Sequence, residues 1–313
     1  MRKAIRIIKA GEIRRQYSMQ KAINAMEYAF ASLSSGESFV PQRFVTAIPS
    51  TEMLMLFKPA FVEKDKRISI KFLTQREGFS IPGIPTIQGI ILLIDSLTGE
   101  ILALMDGEYV TALRTGAASG LATRYFARKD AQYMALFGCG AQGRTQVEAV
   151  CCERKIKKLY LFDPSREAAE QFIREMQEEF ELEMIHTQDT SVLKELDIIC
   201  TATNARAPLF RIEDVSPGIH INAIGSFQPH MQELDPFLIK AARVYVDQIE
   251  PCVKESGDLV KAMEAGIITE DHIHGEIGEY CLEKITGRES DNEITIFKSV
   301  GVAIQDYAVA TDI

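Results

Sequence analysis

The chain has 313 residues, 46% of them apolar and 25% charged, and a formal net charge of −9. This length is enough for two domains with separate cores, and the composition is that of an ordinary globular protein. The negative charge disfavours nucleic acids and anionic membranes as partners, and no apolar run approaches the roughly 20 residues of a membrane span.

The N-terminus and the cysteines indicate a cytoplasmic protein. Met1–Lys9 contains too many charged residues for a secretory signal and alternates as a first strand would. The six cysteines form no C-x-x-C pair, and several lie in apolar segments, which predicts buried free thiols. His272 and His274 have no third ligand in a suitable pattern, so no metal is expected.

The first third of the chain is predicted to be rich in strands. Ser18 is expected to cap a helix that runs to about Leu33. The candidate strands after it are Met53–Phe57, Ile68–Leu73, Gly89–Ile94 and Glu100–Met105. Gly78–Pro85 is predicted to be a loop and Ser96–Gly99 a hairpin turn. Because strands and helices do not alternate here, the pattern favours an α+β domain.

The rest of the chain is predicted to be an α/β domain. A helix over Tyr109–Arg128, rich in small residues, leads into alternating strands and helices from 131 to about 250, which indicates parallel βαβ units. The later candidates are helices at Asp258–Ala265 and Glu276–Thr286, a strand at Glu293–Phe297 and a helix at Gly301–Ala310. The last helix is expected to return to the first domain. The predicted boundaries are therefore 1–118 with 300–313, and 119–299.

A glycine-rich turn is the strongest motif in the sequence. The apolar segment Tyr133–Phe137 enters a G-x-G-x-x-G pattern, and a helix-compatible sequence leaves it. The first glycine permits a tight turn, the second lets the backbone approach a pyrophosphate, and the third lets the helix pack on the strand. The residues concerned are Gly138, Gly140, Ala141, Gln142 and Gly143. This context predicts a Rossmann-type, doubly wound parallel sheet that binds a dinucleotide.

Asp163 bears on the choice of coenzyme. It ends the apolar segment Leu159–Phe162, twenty residues beyond Gly143, where a carboxylate can accept hydrogen bonds from the adenosine ribose. The alternative is that it caps a helix. Arg166 could reach a 2′-phosphate. NAD(H) is therefore favoured, with NADP(H) as the alternative.

Three cations occupy positions that need an anionic partner if they are buried. Arg43 lies between apolar residues, Lys71 interrupts the strand Ile68–Leu73, and Arg114 interrupts a helix face of small residues. Arginine can bind a carboxylate through paired N–H groups, and a desolvated lysine can exchange a proton near neutral pH. For each cation alone, a solvated or ion-paired side chain remains the alternative.

Taken together, these residues resemble the ornithine cyclodeaminase/μ-crystallin family over nearly the whole chain. The resemblance rests on Arg43, Lys71, the block Thr111–Ala118, the glycine turn and Phe297–Gly301. It implies a homodimer formed through the β-rich domain, which also binds substrate, and a Rossmann domain for NAD(P). It implies that Arg43, Lys71 and Arg114 hold a substrate carboxylate. The residues that it places near the cofactor are Thr86, Thr115, Thr201, Ala202, Thr203, Ser226 and Ser299.

Two departures from the family pattern bear on the reaction. Phe227 stands where cyclodeaminases place an acid/base aspartate, and Leu56 aligns with their glutamate. Phenylalanine cannot transfer a proton, and a general acid/base typically contributes roughly 10²–10⁴ in rate. Glu233 and Asp235 lie nearby, but they match none of the family's catalytic carboxylates.

We therefore expect an NAD(P)H-dependent reductase of a small α-imino acid, with a cyclic ketimine carboxylate such as pyrroline-2-carboxylate as the favoured substrate. The substrate would contact Phe227, and Lys71 and Arg114 would act in catalysis. The alternatives are an ornithine cyclodeaminase, an alanine-dehydrogenase-like enzyme and a non-catalytic NAD(P)-binding protein like μ-crystallin.

Overall fold

The computed structural model describes residues 4–48, 50–76 and 84–313. The chain forms two compact units: Met1–Arg114 with Val302–Ile313, and Thr115–Gly301. The predicted boundaries lie after 118 and 299. Within the described ranges, no helix combines the length and the apolar character needed to span a membrane.

Seventeen strands and ten α-helices are assigned in the described part of the chain. The strands are β1 Arg6–Ile8, β2 Ser38–Phe39, β3 Phe44–Ile48, β4 Met53–Val62, β5 Arg67–Arg76, β6 Ile87–Asp95, β7 Ile101–Asp106, β8 Tyr133–Phe137, β9 Lys158–Phe162, β10 Glu183–His186, β11 Ile198–Thr201, β12 Arg206–Phe210, β13 His220–Ala223, β14 Gln232–Leu234, β15 Arg243–Val246, β16 Ile273–Glu276 and β17 Thr295–Lys298. The helices are α1 Ala10–Gln16, α2 Met19–Ser34, α3 Gly107–Phe126, α4 Ala141–Glu153, α5 Arg166–Met176, α6 Pro236–Ala241, α7 Ile249–Glu255, α8 Gly257–Glu264, α9 Ile277–Cys281 and α10 Ala303–Asp312.

The first unit is a mainly antiparallel sheet covered by helices. Its strands run in the order β1-β7-β6-β5-β4-β2, and β3 also pairs with β4. The C-terminal helix α10 packs against α2 and against β4, β5 and β6, so it does return to the first unit as predicted. Ser18 caps α2 by accepting a hydrogen bond from the amide of Lys21. Most of the predicted loop Gly78–Pro85 lies outside the described residues.

The second unit is built on an eight-stranded parallel sheet in the order β10-β9-β8-β11-β13-β17-β15-β16. Strands β11, β13 and β17 are buried along their whole length, because helices cover both faces of the sheet. The chain runs outward from β8 to β9 and β10, then crosses to β11 on the other side. The carboxyl ends of β8 and β11 therefore form the topological switch point, where ligands of such sheets bind.

The predicted helix Glu276–Thr286 was wrong in its second half. Only Ile277–Cys281 is helical, because Glu283 adopts a left-handed φ of 57° that an α-helix cannot contain. The strands β12 and β14, which form a separate two-stranded sheet, were not predicted. In the described part of the chain the six cysteines form no disulfide. Cys139, Cys200 and Cys252 are buried, as expected.

Candidate functional site

Two of the three glycines in the turn after β8 are tightly packed, and the third has open space beside it. Gly138 has a left-handed φ of 98°, and a Cβ on it would lie 2.5 Å from the carbonyl oxygen of Ala202. A Cβ on Gly143 would lie 2.3 Å from the carbonyl oxygen of Gly138. Both positions therefore require glycine. A Cβ on Gly140 would meet no described atom within 4 Å, so a ligand has room there.

Helix α4 begins directly after this turn with features that suit an anionic ligand. Among the described residues, its N-terminus has no side-chain cap and no acidic residue in its first turn. Helix N-termini attract anions through their N–H groups and the helix dipole. Gln142 is the second residue of this helix and is half-buried. The turn and the start of α4 thus fit the phosphates of a dinucleotide.

Asp163 links the end of β9 to the glycine turn. Its Oδ2 accepts a hydrogen bond of 2.8 Å from the amide of Cys139, and its Oδ1 accepts one of 2.8 Å from Ser165. The side chain that caps α5 is that of Ser165. Each oxygen of Asp163 has a second lone pair that can accept from a ribose hydroxyl. Arg166 is exposed and pairs with Glu170 at 2.7 Å.

The carboxyl ends of β11 and β13 converge on Glu233, which is fully buried. Its Oε1 accepts hydrogen bonds from the amide and the hydroxyl of Thr203, at 2.6 and 2.8 Å. Its Oε2 accepts from the Thr201 hydroxyl at 2.8 Å and from the amides of Gly225 and Ser226 at 2.8 and 3.2 Å. One carboxylate therefore fixes both strand ends at the expected nicotinamide side of the sheet.

Two further buried acidic residues, Asp258 and Asp247, contact the hydroxyls predicted to lie near the cofactor. The Ser226 hydroxyl accepts from the amide of Asp258, whose carboxylate pairs with Lys298 at 3.0 Å. The Ser299 hydroxyl donates to Asp247 at 2.7 Å. Both serines lie at strand ends and are almost completely buried. In this structure they take part in networks within the protein, so a contact with the cofactor remains a prediction.

In the first unit, Lys71 and Arg114 meet around Asp306 of helix α10. The Nζ atom of Lys71 lies 2.8 and 2.7 Å from the two carboxylate oxygens of Asp306 and donates to Thr111 at 3.2 Å. The Nε atom of Arg114 lies 3.3 Å from Asp306, and its Nη1 donates to Gln305 at 3.0 Å. The structure thus brings two of the three predicted cations together, and their counterion was not part of the sequence prediction.

A fourth cation, Lys58, was also missed. It is 7% exposed and lies directly opposite Lys71 in the β4–β5 register. Burial lowers the pKa of the Lys58 amine well below its usual range; Lys71, Arg114 and Arg43 lower it further, and Asp306 opposes the change. Burial also lowers the pKa of Lys71 to about 8, although Asp306 acts against it.

The remaining predicted site residues lie in different environments. Arg43 is half-buried just before β3, and its positive charge acts on both Lys58 and Lys71. Thr86 is exposed just before β6. In the second unit, the Thr115 carbonyl accepts from Gln146 at 3.4 Å, and Phe227 packs against the apolar core. The described residues contain no group of three or more His, Cys, Asp or Glu side chains placed to hold a metal ion.

A parallel sheet of this strand order, with a glycine turn at its switch point, defines the class of Rossmann-type dinucleotide-binding proteins. The sequence profile of the ornithine cyclodeaminase/mu-crystallin family matches residues 4–313, and the chain belongs to that family.

Relatives of known identity resemble the chain over nearly its whole length. A Δ1-pyrroline-2-carboxylate reductase of Bacillus cereus is 36% identical, covering 97% of this chain and 94% of the relative. The solved structure of Thermococcus litoralis Δ1-pyrroline-2-carboxylate reductase in complex with NADH and L-proline has a TM-score of 0.93 at 35% identity, covering 98% and 95%. An archaeal alanine dehydrogenase dimer with bound NAD has a TM-score of 0.91 at 33% identity, covering 98% and 94%.

Proposed function

We propose that this protein is an NAD(H)-dependent reductase of Δ1-pyrroline-2-carboxylate, with L-proline as the product. The observation that carries the proposal is the buried set of cations around Asp306 in the first unit. Such a set suits a small carboxylate. The relatives in which this fold acts on a cyclic imino acid support the choice of substrate.

Each group of residues has a separate proposed role. Lys71, Arg114 and Arg43 would bind the substrate carboxylate, since guanidinium and ammonium groups form the strongest hydrogen bonds with carboxylates. The glycine turn and the start of α4 would hold the coenzyme phosphates, and Asp163 the ribose. Bound NADH would supply the hydride that reduces the imine carbon, and Lys71 or water would supply the proton that the nitrogen needs. Holding the reactants in place can contribute roughly 7–11 kcal/mol, so such a reduction needs few catalytic groups.

Phe227 favours a reductase over a cyclodeaminase. Its ring is half-buried and packs against the apolar core of the second unit. Release of ammonia from a diamine requires proton transfers that this ring cannot perform. The nearby carboxylates already have other roles, because Glu233 accepts five hydrogen bonds and Asp235 caps α6.

The direct test is coenzyme absorbance at 340 nm with several substrates. NADH should be oxidised with Δ1-pyrroline-2-carboxylate, and L-proline should accumulate in equal amount. Ornithine alone should yield no ammonia, and pyruvate with ammonia should react much more slowly. Ammonia and proline from ornithine without net change in the coenzyme would show a cyclodeaminase instead.

The pH dependence of kcat/KM should report the loss of the proton from Lys71. We expect kcat/KM for the imino acid to fall above about pH 8, by up to about tenfold per pH unit, because Lys71 then loses its charge. The variant Lys71→Arg carries a charge that does not titrate in this range, so its profile should be flat there. A fall that persists in this variant would assign it to another group. The free energy of unfolding, in contrast, should rise between about pH 8 and pH 10.5. In this range the folded protein has lost the buried charge of Lys71, whereas the unfolded chain still binds that proton.

The variant Asp163→Ala should shift the coenzyme preference toward NADPH. It removes a carboxylate that repels a 2′-phosphate and accepts from the ribose hydroxyls of NADH. It also removes the bond to the Cys139 amide, so KM should rise for both coenzymes. The ratio of the two kcat/KM values is therefore the measurement, and we expect a change of about tenfold, the effect of losing one hydrogen bond to a charged group. The variant Ser165→Ala, which weakens only the cap of α5, should leave the ratio unchanged.

We also propose that the protein is a cytoplasmic homodimer formed through the first unit. Large apolar side chains are exposed there, including Phe39 at 67%, Phe44 at 61% and Leu97 at 75%. Phe39 and Leu97 line one hollow together with Pro59 and Phe61, and an exposed apolar patch often marks a protein interface. Cysteines without disulfides among the described residues suit a reducing compartment. Light scattering should give twice the mass of one chain, and Phe44→Lys should increase the fraction of monomer.

A further inference from the structure

Lys58 has a place in the first unit that none of the roles above explains. Buried residues alternate along β4 at Leu56, Lys58, Ala60 and Val62, so the lysine shares the inward face of the strand. Its direct cross-strand partner on β5 is Lys71. Side chains at opposed positions of an antiparallel pair have Cβ atoms about 4.5–5.5 Å apart. Two lysines thus lie side by side in the interior.

The charges around this pair are unequal. Those that act on Lys58 most strongly are Lys71 of β5, Arg114 of α3, Arg43 before β3 and, with the opposite sign, Asp306 of α10. Of these five groups, counting Lys58 itself, four are basic and one is a carboxylate, so basic groups predominate among them. Burial and like charges both disfavour the protonated form of an amine.

A bound carboxylate would instead favour the protonated form of the Lys58 amine. An anion beside Lys58 favours the ammonium form, and the amine can then donate to the anion. We propose that Lys58 belongs to the carboxylate site and that binding of the substrate carboxylate is accompanied by the uptake of one proton on the Lys58 amine. The proton comes from solvent, so the neutral amine becomes an ammonium ion paired with the bound carboxylate. The proposal rests on the proposed function only in taking a small carboxylate as the ligand.

Isothermal titration calorimetry can count this proton. The full chain with NAD⁺ would be titrated with pyrrole-2-carboxylate, a planar analogue that does not react, and with pyruvate. The same titration at about pH 7 in buffers of different ionisation enthalpy gives the number of protons taken up. Lys71 remains mostly protonated at this pH, because its pKa is about 8. We expect a net uptake of protons when the carboxylate binds to the unchanged protein, with one proton per ligand as the upper limit.

Three variants test whether Lys58 is the group that takes up the proton. Lys58→Met should bind the analogue about tenfold more weakly, with almost no proton uptake, because it removes one charge-assisted hydrogen bond. Lys58→Arg carries a permanent charge, so it should bind without proton uptake. Lys64→Met removes an exposed lysine paired with Glu37 near the same hairpin, so binding and uptake should be unchanged. The melting temperature of Lys58→Met should equal or exceed that of the unchanged protein, since the variant removes a buried amine surrounded by like charges.

Several results would overturn the proposal. Binding without proton uptake in the unchanged protein would do so, and so would uptake that persists in Lys58→Met. If neither carboxylate bound, the cation set would not be a carboxylate site at all. Failure of the proposed function looks different: the carboxylates would still bind with proton uptake, but Δ1-pyrroline-2-carboxylate would not be reduced.

Discussion

The variant Asp306→Asn is expected to lose nearly all activity and to unfold at a markedly lower temperature. Asp306 is 1% exposed and pairs with both Lys71 and Arg114. The positive charges lower the pKa of its carboxyl, despite the opposing effect of burial, so it is ionised at neutral pH. Asparagine would leave two buried cations without their counterion. Removing one partner of a buried ion pair typically costs about 3–5 kcal/mol.

A double variant separates the two effects. In Asp306→Asn/Lys71→Met the unbalanced ammonium group is also gone, so we expect the free energy of unfolding to recover in large part. Activity should not recover, because a substrate-binding cation has been removed. Urea unfolding gives the first quantity and NADH oxidation the second. Equal stability of the two variants would show that Asp306 does not act through Lys71.

The sheet of the second unit could be predicted because its signals are local. Apolar runs of four or five residues mark β8, β9, β11 and β13, and a glycine turn fixes which strand comes first. The end of α9 was not predictable in this way. The left-handed residue there is Glu283, and nothing in its residue type indicates that conformation.

The residues of the candidate site also differ in whether the sequence around them indicates their role. Lys71 stood out because it interrupts an apolar strand, and the alternation along β4 would have shown Lys58 by the same argument. Asp247 ends β15 just as Asp163 ends β9, so its position could also have been noticed. The partnership with Asp306 could not, since it joins residues 235 positions apart. Sequence patterns identify groups that are unusual in their own segment, whereas their partners become known only from the fold.

The second large effect is expected at Glu233. In Glu233→Gln one of the two oxygens becomes an NH₂ group. On the Oε1 side this group would face the amide of Thr203, and on the Oε2 side it would face the amides of Gly225 and Ser226. Either orientation opposes donor to donor, and each buried group left unsatisfied costs about 1–3 kcal/mol. We therefore expect a lower melting temperature and displaced strand ends at 201–203 and 225–226.

The kinetic consequence should fall on the coenzyme. Those strand ends lie at the carboxyl edge of the sheet, where we propose that NADH binds, so KM for NADH should rise more than KM for the imino acid. The matched control is Asp235→Asn, two residues away. Asparagine caps helices as well as aspartate does, and Asp235 accepts from the Phe237 amide at 3.0 Å to cap α6. Asp235 also accepts from the Ile212 amide, but that bond is long, at 3.4 Å, so the control should change stability far less than Glu233→Gln does and should leave KM unchanged. Equal increases in both KM values for Glu233→Gln would mean that the carboxylate supports the whole unit rather than the coenzyme site.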